Sequence, residues 1–435
     1  MTAAPRWFED GRLRFALGIE DTFVPQSRPG ERAIDEYALT EHYERFDADF
    51  ALAAGVGAEL VRWGVPWYRV SPEPGVWDWS WTDRAVASML DHGLTPLLDL
   101  LHYGTPLWMD DQFAHPDYPA HVAEYARRVA ERYGDRVTSY TPVNEPVIHA
   151  LFCGEYGYWP PYRTGASGFA AIAAAIARGF VLSQRAIADV LGERAVFVHV
   201  EAAMAFEGED AAPEHRAEIE RLRQQVFLVE DLVTGRVDGA HPLREQLRSS
   251  VSDEEVAWFR EHAVQPDVMG VNYYPRHSTE LFERGIRHAG GFADPRPSVD
   301  RGAQGLRDAV ARFQRRYERP VMITETCVTG TVAERIAWLD DVVAVARALR
   351  AEGVPLVGIT WWPLFDMYEW TWRHSDRPRA DHQLSMGLYE LVESDDGLQR
   401  VATALAERYR ELARSHGSQA VAPTPPSDPS GDRRQ

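Results

Sequence analysis

Apolar runs of strand length alternate with helical segments about eight times along the chain, and this order predicts an α/β fold, a single-domain (β/α)8 TIM barrel. The run Leu94–Leu101 is almost continuously apolar, which is typical of a parallel strand buried on both faces. The intervening segments have helical periodicity and helix-end signals, with Pro119 opening one helix and Gly353 closing another. Repeated strand–helix units with buried strands therefore indicate a closed barrel.

The predicted elements are bounded by turn residues and by changes of periodicity. Pro146 marks the end of the fourth strand, because proline cannot donate to a sheet ladder. The predicted strands are Phe15–Ile19, Glu59–Trp63, Leu94–Leu101, Val137–Thr141, Ala195–Val200, Asp267–Val271, Pro320–Thr324 and Leu356–Trp362. The predicted helices are Glu41–Ala54, Thr82–Asp91, Pro119–Tyr133, Gly168–Leu191, Glu214–Thr234, Asp253–His262, Leu306–Tyr317, Val332–Glu352 and Leu398–Ser415. Residues 275–301 are rich in Gly, Pro and charge, and we predict a long loop there.

An open, doubly wound sheet is the alternative α/β fold. That fold usually carries a Gly-rich phosphate-binding turn after its first strand. Gly18 lies at this point, but the next glycine along the chain is Gly30. The dinucleotide fingerprint is thus missing, and the closed barrel is preferred.

The charge balance excludes several classes of function. The formal net charge is −20, which disfavours nucleic acid and anionic membrane surfaces as partners. All 46 side chains counted as Lys or Arg are arginine. Without lysine, Schiff-base catalysis and lysine-anchored pyridoxal phosphate are not available. We predict no cofactor.

Cysteine usage and the absence of long apolar segments predict a reduced, cytoplasmic location. Cys153 and Cys327 are the only cysteines, too few for a disulfide framework or a four-cysteine zinc site. The N-terminal residues have no apolar core of signal-peptide length, and the apolar stretch Phe169–Ala177 is short and ends at Arg178. We expect one barrel domain over residues 1–416 and a disordered Pro/Ser-rich tail over residues 417–435.

Two acidic residues stand at the ends of two predicted strands. Glu145 follows the fourth strand, and Glu325 follows the seventh. Barrel enzymes place their chemistry at the carboxyl ends of their strands. Cleavage of a glycosidic bond needs one carboxyl group to protonate the leaving oxygen and a second to act at the anomeric carbon. The pair therefore predicts a glycoside hydrolase.

Four sequence blocks, TPVNEP, VNYY, ITET and WWPLFDMYEW, occur in this order. Their order and spacing resemble those of the retaining β-glycosidases of glycoside hydrolase family 1, which are β-glucosidase-like (β/α)8 barrels. The likeness runs from about residue 15 to residue 412. It implies a retaining exo-β-glycosidase acting on a small-molecule glycoside by double displacement.

The resemblance also implies catalytic roles. Glu145 matches the acid/base, and Glu325 matches the nucleophile, although the usual ITENG is ITETC here. Arg62 matches the arginine that keeps the nucleophile ionised, since an opposite charge lowers a carboxyl pKa. Asn144 matches the residue that binds the sugar 2-hydroxyl, and Tyr274 matches the tyrosine that holds the nucleophile.

Substrate contacts are implied at several further positions. His102 matches the histidine that binds the sugar 3-hydroxyl, and Trp362 matches the tryptophan that stacks on the sugar ring. Glu369 and Trp370 match the pair that binds the glycone, and Asn272 in VNYY is expected beside the carboxyl pair.

The sequence departs from the family pattern around the expected sugar pocket. The usual Gln-x-Glu-Gly segment is replaced by GIEDTFVPQ, so that Glu20 or Asp21 takes the place of the glutamine or its role is lost. Tyr103 replaces a tryptophan, and Glu201 lies in the region that replaces an asparagine. Residues 373–383 form a polar insertion. These changes indicate a remodelled pocket around a retained catalytic pair.

Other functions remain open at this point. A transglycosylase would use the same glycosyl-enzyme with an alcohol as acceptor, and a sugar-binding barrel would keep the pocket without turnover. We predict no metal, because none of His102, His149 and His199 has a His or Cys partner at helical spacing. The sugar, the aglycone and the oligomeric state are not indicated.

Overall fold

The computed structural model describes residues 6–208, 213–281 and 298–417. Eight parallel strands form a closed barrel in which each strand pairs with its neighbours in the order β1-β8-β7-β6-β5-β4-β3-β2. The strands are Arg14–Gly18 (β1), Leu60–Gly64 (β2), Thr95–Asp99 (β3), Ser139–Thr141 (β4), Val196–Ala202 (β5), Val268–Asn272 (β6), Val321–Thr326 (β7) and Leu356–Trp361 (β8). The predicted fold class and all eight predicted strands are confirmed.

Helices cover the outside of the barrel. The longer helices are His42–Gly55 (α1), Ser80–Asp91 (α2), Tyr118–Tyr133 (α3), Gly165–Leu191 (α4), Pro213–Gln225 (α5), Leu228–Val233 (α6), Asp253–Glu261 (α7), Gly302–Tyr317 (α8), Val332–Ala351 (α9) and Ala404–Gly417 (α10). Four-residue helices occur at Glu36–Leu39, Trp67–Val70, Pro146–His149 and Arg244–Leu247, and a π-helical segment occurs at Ala150–Glu155. Short 3-10 helices are Gln112–Ala114, Gly192–Arg194, Trp370–His374 and Arg379–His382.

Two of the predicted helices are wrong in extent. The predicted helix Glu214–Thr234 is two helices, α5 and α6. The break between them turns Phe227 into the core, where its ring centre lies 5.2 Å from that of Phe313. The predicted helix Leu398–Ser415 begins only at Ala404.

A β-hairpin occupies the first part of that last predicted helix. Gly397–Ala402 pairs antiparallel with Tyr389–Ser394. Asp395 and Asp396 form the turn, and Gly397 has a φ of 90°, which glycine adopts without steric cost. A turn signal in the sequence, Asp-Asp-Gly, therefore outweighs the helical periodicity that follows it.

Three further strand pairs lie in the connecting loops. They are Phe23–Val24 with Ile34–Asp35, Ala205–Glu207 with Thr279–Leu281, and Met367–Tyr368 with Gln383–Leu384. The second pair contradicts part of the loop predicted over residues 275–301, and residues 282–297 of that loop lie outside the described residues. The tail predicted from residue 417 falls outside them as well, except for Gly417, which ends α10.

One helix is long and apolar enough, by length and composition, to cross a membrane. This segment, Gly165–Arg194, contains α4. An apolar stretch of 18 residues within it is 56% buried inside the protein. A Cβ at Gly179 would lie 2.9 Å from atoms of Tyr118 and Val122, so that α4 and α3 are in close contact there. More than half of this apolar stretch is therefore packed inside the protein.

Mostly aliphatic side chains fill the inside of the barrel as a separate cluster. Leu97 and Val198 are completely buried there. Strands of a closed barrel point alternate side chains inward, so that residues from several strands meet in layers. The other members are Phe8, Ala16, Leu60, Val196, Val200, Val268, Met322 and Val357. This packed interior supports the strand ends on which the polar side chains stand.

Shortening Leu97 is expected to destabilise the fold strongly. Leu97→Ala removes a completely buried side chain and leaves a cavity, which costs about 2–5 kcal/mol of unfolding free energy. Leu107 is 64% exposed, so Leu107→Ala is a matched control with an effect within about 0.5 kcal/mol. Chemical denaturation of both variants measures the difference. Equal losses would contradict the packed interior.

Candidate active site

A cavity of about 440 Å³ opens at the carboxyl ends of the barrel strands, where both predicted catalytic carboxyl groups reach it. Glu145 and Glu325 line this cavity and are 8% and 4% exposed. Among the other predicted site residues, those that also line it are Glu20, His102, Tyr103, Asn272, Tyr274, Glu369 and Trp370. The fold therefore brings most of the predicted site together.

Glu325 is held by a cation and by a phenol. It is the fifth of six residues in β7, so the strand itself fixes its backbone. One oxygen accepts a hydrogen bond from Nη1 of Arg62, which stands in the middle of β2. The other accepts a hydrogen bond from the hydroxyl of Tyr274 at 2.6 Å. Both oxygens of Glu325 are thus fixed by donors, one from β2 and one from the loop that follows β6.

Glu145 is held by neutral donors. Its oxygens accept hydrogen bonds from the hydroxyl of Tyr103 and, at 2.9 Å, from the amide of Asn272. The hydroxyl of Thr324 donates to the amide oxygen of Asn272 at 2.7 Å, which orients that amide toward Glu145. Within the described residues, Glu145 has no arginine partner.

Both Glu145 and Tyr103 have left-handed backbone conformations. Their φ angles are 43° and 74°. Such angles are uncommon for residues with side chains and cluster at functional sites. The backbone N–H of Glu145 donates to the carbonyl of Val200 at 3.0 Å, which anchors the turn to β5. This turn directs the Glu145 side chain into the cavity.

Burial raises the pKa of both cavity carboxyl groups above the ordinary value of a glutamate. For Glu325, the charge of Arg62 opposes this effect, while the negative charge of Glu145 adds to it. For Glu145, the hydrogen bonds from Tyr103 and Asn272 oppose it. The two groups therefore titrate as an interacting pair. The cation beside Glu325 favours the negative charge on that member.

Arg62 is completely buried and serves several acceptors at once. Its Nη2 donates to Asp99 at the end of β3 and to the side-chain oxygen of Asn144 at 2.6 Å. The guanidinium also lies 4.7 Å from the ring centre of Trp362. A buried arginine needs such partners, because an unpaired charge in a protein interior is very costly. Arg62 thus connects Glu325 with two further residues below the cavity.

His102 lies between two carboxylates. Its Nδ1 lies 2.7 Å from Asp21 Oδ1 and 3.6 Å from Asp99 Oδ2. Burial acts against the charged imidazole, but Asp21, Asp99 and Glu20 outweigh it and raise the pKa of His102 well above its ordinary value. A Cβ at Gly64 would lie 1.5 Å from Asp21 Oδ2, so only glycine there leaves room for this carboxylate.

The end of the cavity near β1 and β8 is closed by Glu20 and by aromatic rings. Glu20 accepts a hydrogen bond from Nε1 of Trp362 at 2.6 Å. The Trp362 ring is 1% exposed and stacks on His102 with ring centres 5.7 Å apart. The ring of Tyr103 packs edge-on against that of Trp370 at 5.5 Å. These contacts form a narrow, buried end with acceptors on its surface.

Five predicted site residues do not line the cavity. Arg62, Asn144 and Trp362 lie directly beneath lining residues, and Asp21 lies behind His102. Glu201 is 1% exposed and accepts hydrogen bonds from the backbone N–H groups of Ala202 and Val147. Burial raises its pKa well above that of an ordinary glutamate. For Glu201, the structure therefore shows backbone contacts in place of the predicted exposure to substrate.

Sequence reasoning missed Asp99 and most of the apolar wall. Asp99 carried a signal, since it is the one charged residue in the apolar run Leu94–Leu101. The apolar lining carried no signal, because it comes from loop residues far apart in the chain. Its members are Ile148, Phe152, Ala202, Ala203, Met204, Cys327, Val328, Met367, Leu384 and Met386.

Two groups of side chains in the described part of the chain have the spacing of metal ligands. One is Asp21, Asp99 and His102, where Arg62 already donates to Asp99. A divalent cation there would face the guanidinium charge, so these residues fit a metal poorly. The other group, His115, Asp117 and His121, lies on the surface ahead of and within α3, outside the cavity lining.

The chain is similar to known proteins over most of its length. Residues 5–418 match the model of glycosyl hydrolase family 1. A β-glucosidase A of Thermotoga maritima is 25% identical over 379 residues, which cover 78% of this chain and 80% of the relative. An aryl-phospho-β-D-glucosidase of Bacillus subtilis is 26% identical over 365 residues, covering 75% and 76%. A thermostable β-glucosidase B of Thermobispora bispora is 34% identical over 165 residues, covering only 35% of this chain and 32% of the relative.

The fold is also similar to that of solved structures. A β-glucosidase from Thermotoga maritima in complex with glucoimidazole superposes with a TM-score of 0.77. It covers 96% of this chain and all of that chain, at 20% sequence identity. A closed barrel with two buried carboxyl groups in one cavity at its strand ends defines a barrel glycoside hydrolase. With the family match over nearly the whole chain, this protein belongs to glycosyl hydrolase family 1.

Removing Arg62 is expected to destabilise the protein in a pH-dependent way. Arg62→Met leaves Glu325 and Asp99 buried without their cation, which costs about 3–5 kcal/mol at pH 8. Unpaired buried carboxyl groups have folded-state pKa values above the unfolded ones. The folded variant therefore gains stability from protonation, and its deficit shrinks as the pH falls.

Chemical denaturation of wild type and Arg62→Met at pH 5 and pH 8 measures this deficit. The difference in unfolding free energy between the two proteins is expected to be smaller at pH 5. A deficit of the same size at both pH values would show that the buried ion pairs do not contribute as described.

Proposed function

We propose that this protein is a retaining exo-β-glycosidase that hydrolyses a small β-glycoside by double displacement. One observation carries the assignment of roles: Glu325 has a cationic donor, Arg62, whereas the donors to Glu145 are neutral. A carboxylate beside a guanidinium is stabilised as the anion, and a buried carboxyl group without one keeps its proton more easily. Glu325 is then the nucleophile and Glu145 the acid/base.

In the first step, the Glu325 carboxylate attacks the anomeric carbon while the Glu145 carboxyl group gives its proton to the leaving oxygen. The bond from the anomeric carbon to the aglycone breaks, and a glycosyl ester of Glu325 forms. In the second step, the Glu145 carboxylate takes a proton from water, whose oxygen attacks the same carbon and releases Glu325. Two inversions retain the β configuration.

The closed end of the cavity is proposed to hold the sugar ring. Glu20, His102 and Glu369 present polar groups there, and buried rings block passage beyond it. A blind end of this kind supports removal of single terminal sugars. The carboxylates of Glu20, Asp21 and Asp99 surround His102 and already balance its charge. We therefore propose an uncharged glycone rather than a phosphorylated or uronate sugar.

The opposite wall is proposed to hold an apolar aglycone. Ile148 and Phe152 follow β4, Ala203 and Met204 follow β5, and Val328 follows β7, so that apolar side chains from three strand ends line the cavity. The residues that follow β6 add polar lining beside them: Arg276, His277 and Ser278. A flat aromatic or other apolar group gains free energy by leaving water for contact with the apolar side chains.

Replacement of the nucleophile is expected to abolish turnover and permit chemical rescue. Glu325→Gly should lower kcat on an aryl β-glycoside by at least about 10³-fold, since the covalent route is lost. Azide in the vacated space should restore cleavage and yield the α-glycosyl azide. Glu230→Gln, which changes a buried glutamate bonded to His199 outside the cavity, is the control with turnover within a few-fold of wild type.

Product stereochemistry, read by nuclear magnetic resonance, decides between outcomes. An α-azide identifies Glu325 as the nucleophile. A β-azide, or a Glu325→Gly variant with wild-type turnover, would overturn the assignment.

The apolar wall predicts a preference among aglycones. For the same glycone, kcat/KM is expected to be at least ten-fold higher for an aryl β-glycoside than for the corresponding disaccharide. Met204→Ser should reduce this ratio several-fold, because it removes apolar contact at the wall. Val392→Ser, at a position 45% exposed on the hairpin, is the matched control and should leave the ratio unchanged. A ratio near one in wild type would contradict an apolar aglycone.

A further inference from the structure

Asp99 is a buried carboxylate for which the two-carboxyl mechanism has no use. It ends β3, is 1% exposed, and does not line the cavity. Its Oδ2 accepts a hydrogen bond from Nη2 of Arg62 and lies 3.6 Å from Nδ1 of His102. Its Oδ1 has no hydrogen-bond partner among the described residues. A carboxylate so placed costs free energy to bury, and its neighbours Arg62 and His102 are both cationic.

We propose that Asp99 is a positioning residue that divides the charge of Arg62 between two carboxylates and so sets the pH at which Glu325 becomes a nucleophile. The inference rests on the proposed function, since it concerns the reactivity of the same glutamate. Arg62 donates through Nη1 to Glu325 and through Nη2 to Asp99, so that one positive charge faces two negative ones.

This sharing has an electrostatic consequence. If Arg62 faced Glu325 alone, its full charge would hold that carboxyl ionised to low pH. With Asp99 on the other amino group, the guanidinium and Asp99 together are nearly neutral when seen from Glu325. Arg62 then still donates a hydrogen bond to Glu325, but its positive charge stabilises the Glu325 carboxylate less than it would without Asp99. The acidic limit of activity is therefore expected at higher pH than an unshared Arg62 would give.

Several other groups face Glu325 and act on the same ionisation. Glu145 opposes the negative charge, whereas Arg62, His102 and the hydroxyl of Tyr274 favour it. Tyr103 and Cys327 also lie near enough to interact with the charge of Glu325, and both stay neutral because burial raises their pKa values.

Asp99 has its own charged neighbours. They are Arg62, His102 and Asp21, which lies on the far side of the imidazole. Removing the charge of Asp99 leaves Asp21 at 2.7 Å from His102, so the histidine keeps a carboxylate partner. Loss of the Asp99 charge therefore acts on Glu325 mainly through Arg62.

Asp99→Asn tests the proposal, because the amide oxygen still accepts from Arg62 while the negative charge is gone. The acidic limb of the pH profile is the pH range in which kcat/KM on an aryl β-glycoside falls as the pH decreases. In the variant, this limb is expected to lie about one pH unit lower than in wild type. Inactivation by a 2-deoxy-2-fluoro glycoside, which requires an ionised nucleophile, should show the same shift. If Asp99→Asn folds poorly, Asp99→Ser removes the same charge in a smaller side chain and should shift the limb in the same direction.

Asp231→Asn is the matched control. Asp231 is completely buried and bonded to Arg316 on the outer side of the barrel, so the substitution removes an equivalent buried partner of an arginine. It is expected to lower stability without moving the acidic limb. The proposal would be overturned if the acidic limb of kcat/KM lay at the wild-type pH in both Asp99 variants, or if it shifted to higher pH. If wild type hydrolyses no member of a β-glycoside panel, the proposed function fails first and separately.

Discussion

The buried guanidinium of Arg62 is the contact on which the site depends. It stands at the middle of β2 and joins Glu325 on β7, Asp99 at the end of β3 and Asn144, which follows β4. A charge placed so deep requires partners, and each partner needs the charge in return. Arg62 therefore contributes to the position of Glu325, to the stability of its negative charge and to the orientation of Asn144. The closed barrel makes this possible, because it brings the ends of β2, β3, β4 and β7 to a common centre.

Much of this arrangement was predictable from the sequence, and the reasons are local. Buried parallel strands leave apolar runs, and strand-end glutamates beside a proline or a threonine stand out against them. The hairpin at Tyr389–Ala402 was not predicted, because helical periodicity across its second strand hid a two-residue turn. Asp99 was overlooked for a different reason: a carboxylate within an apolar strand has a meaning only when its spatial neighbours, Arg62 and His102, are known. The cavity wall needed coordinates, since its loops converge only in three dimensions.

The departures from the family pattern are concentrated around the closed end of the cavity rather than around Glu145 and Glu325. Glu20 bonds to Trp362, and Asp21 lies against His102, where a Gln-containing segment was expected. The polar insertion packs away from the cavity: Arg373 is buried and donates to the carbonyl of Pro25 and to Glu31. The two cavity glutamates thus keep the expected surroundings, whereas the residues at the closed end differ from the family pattern.

The contact between Gly64 and Asp21 has an evolutionary consequence. A methyl group at residue 64 and a carboxylate at residue 21 would occupy the same space, with 1.5 Å between the atoms concerned. The aspartate can therefore occupy its present position only while residue 64 is glycine, and any side chain at residue 64 requires Asp21 to move. The effect of a substitution at either position thus depends on the residue at the other.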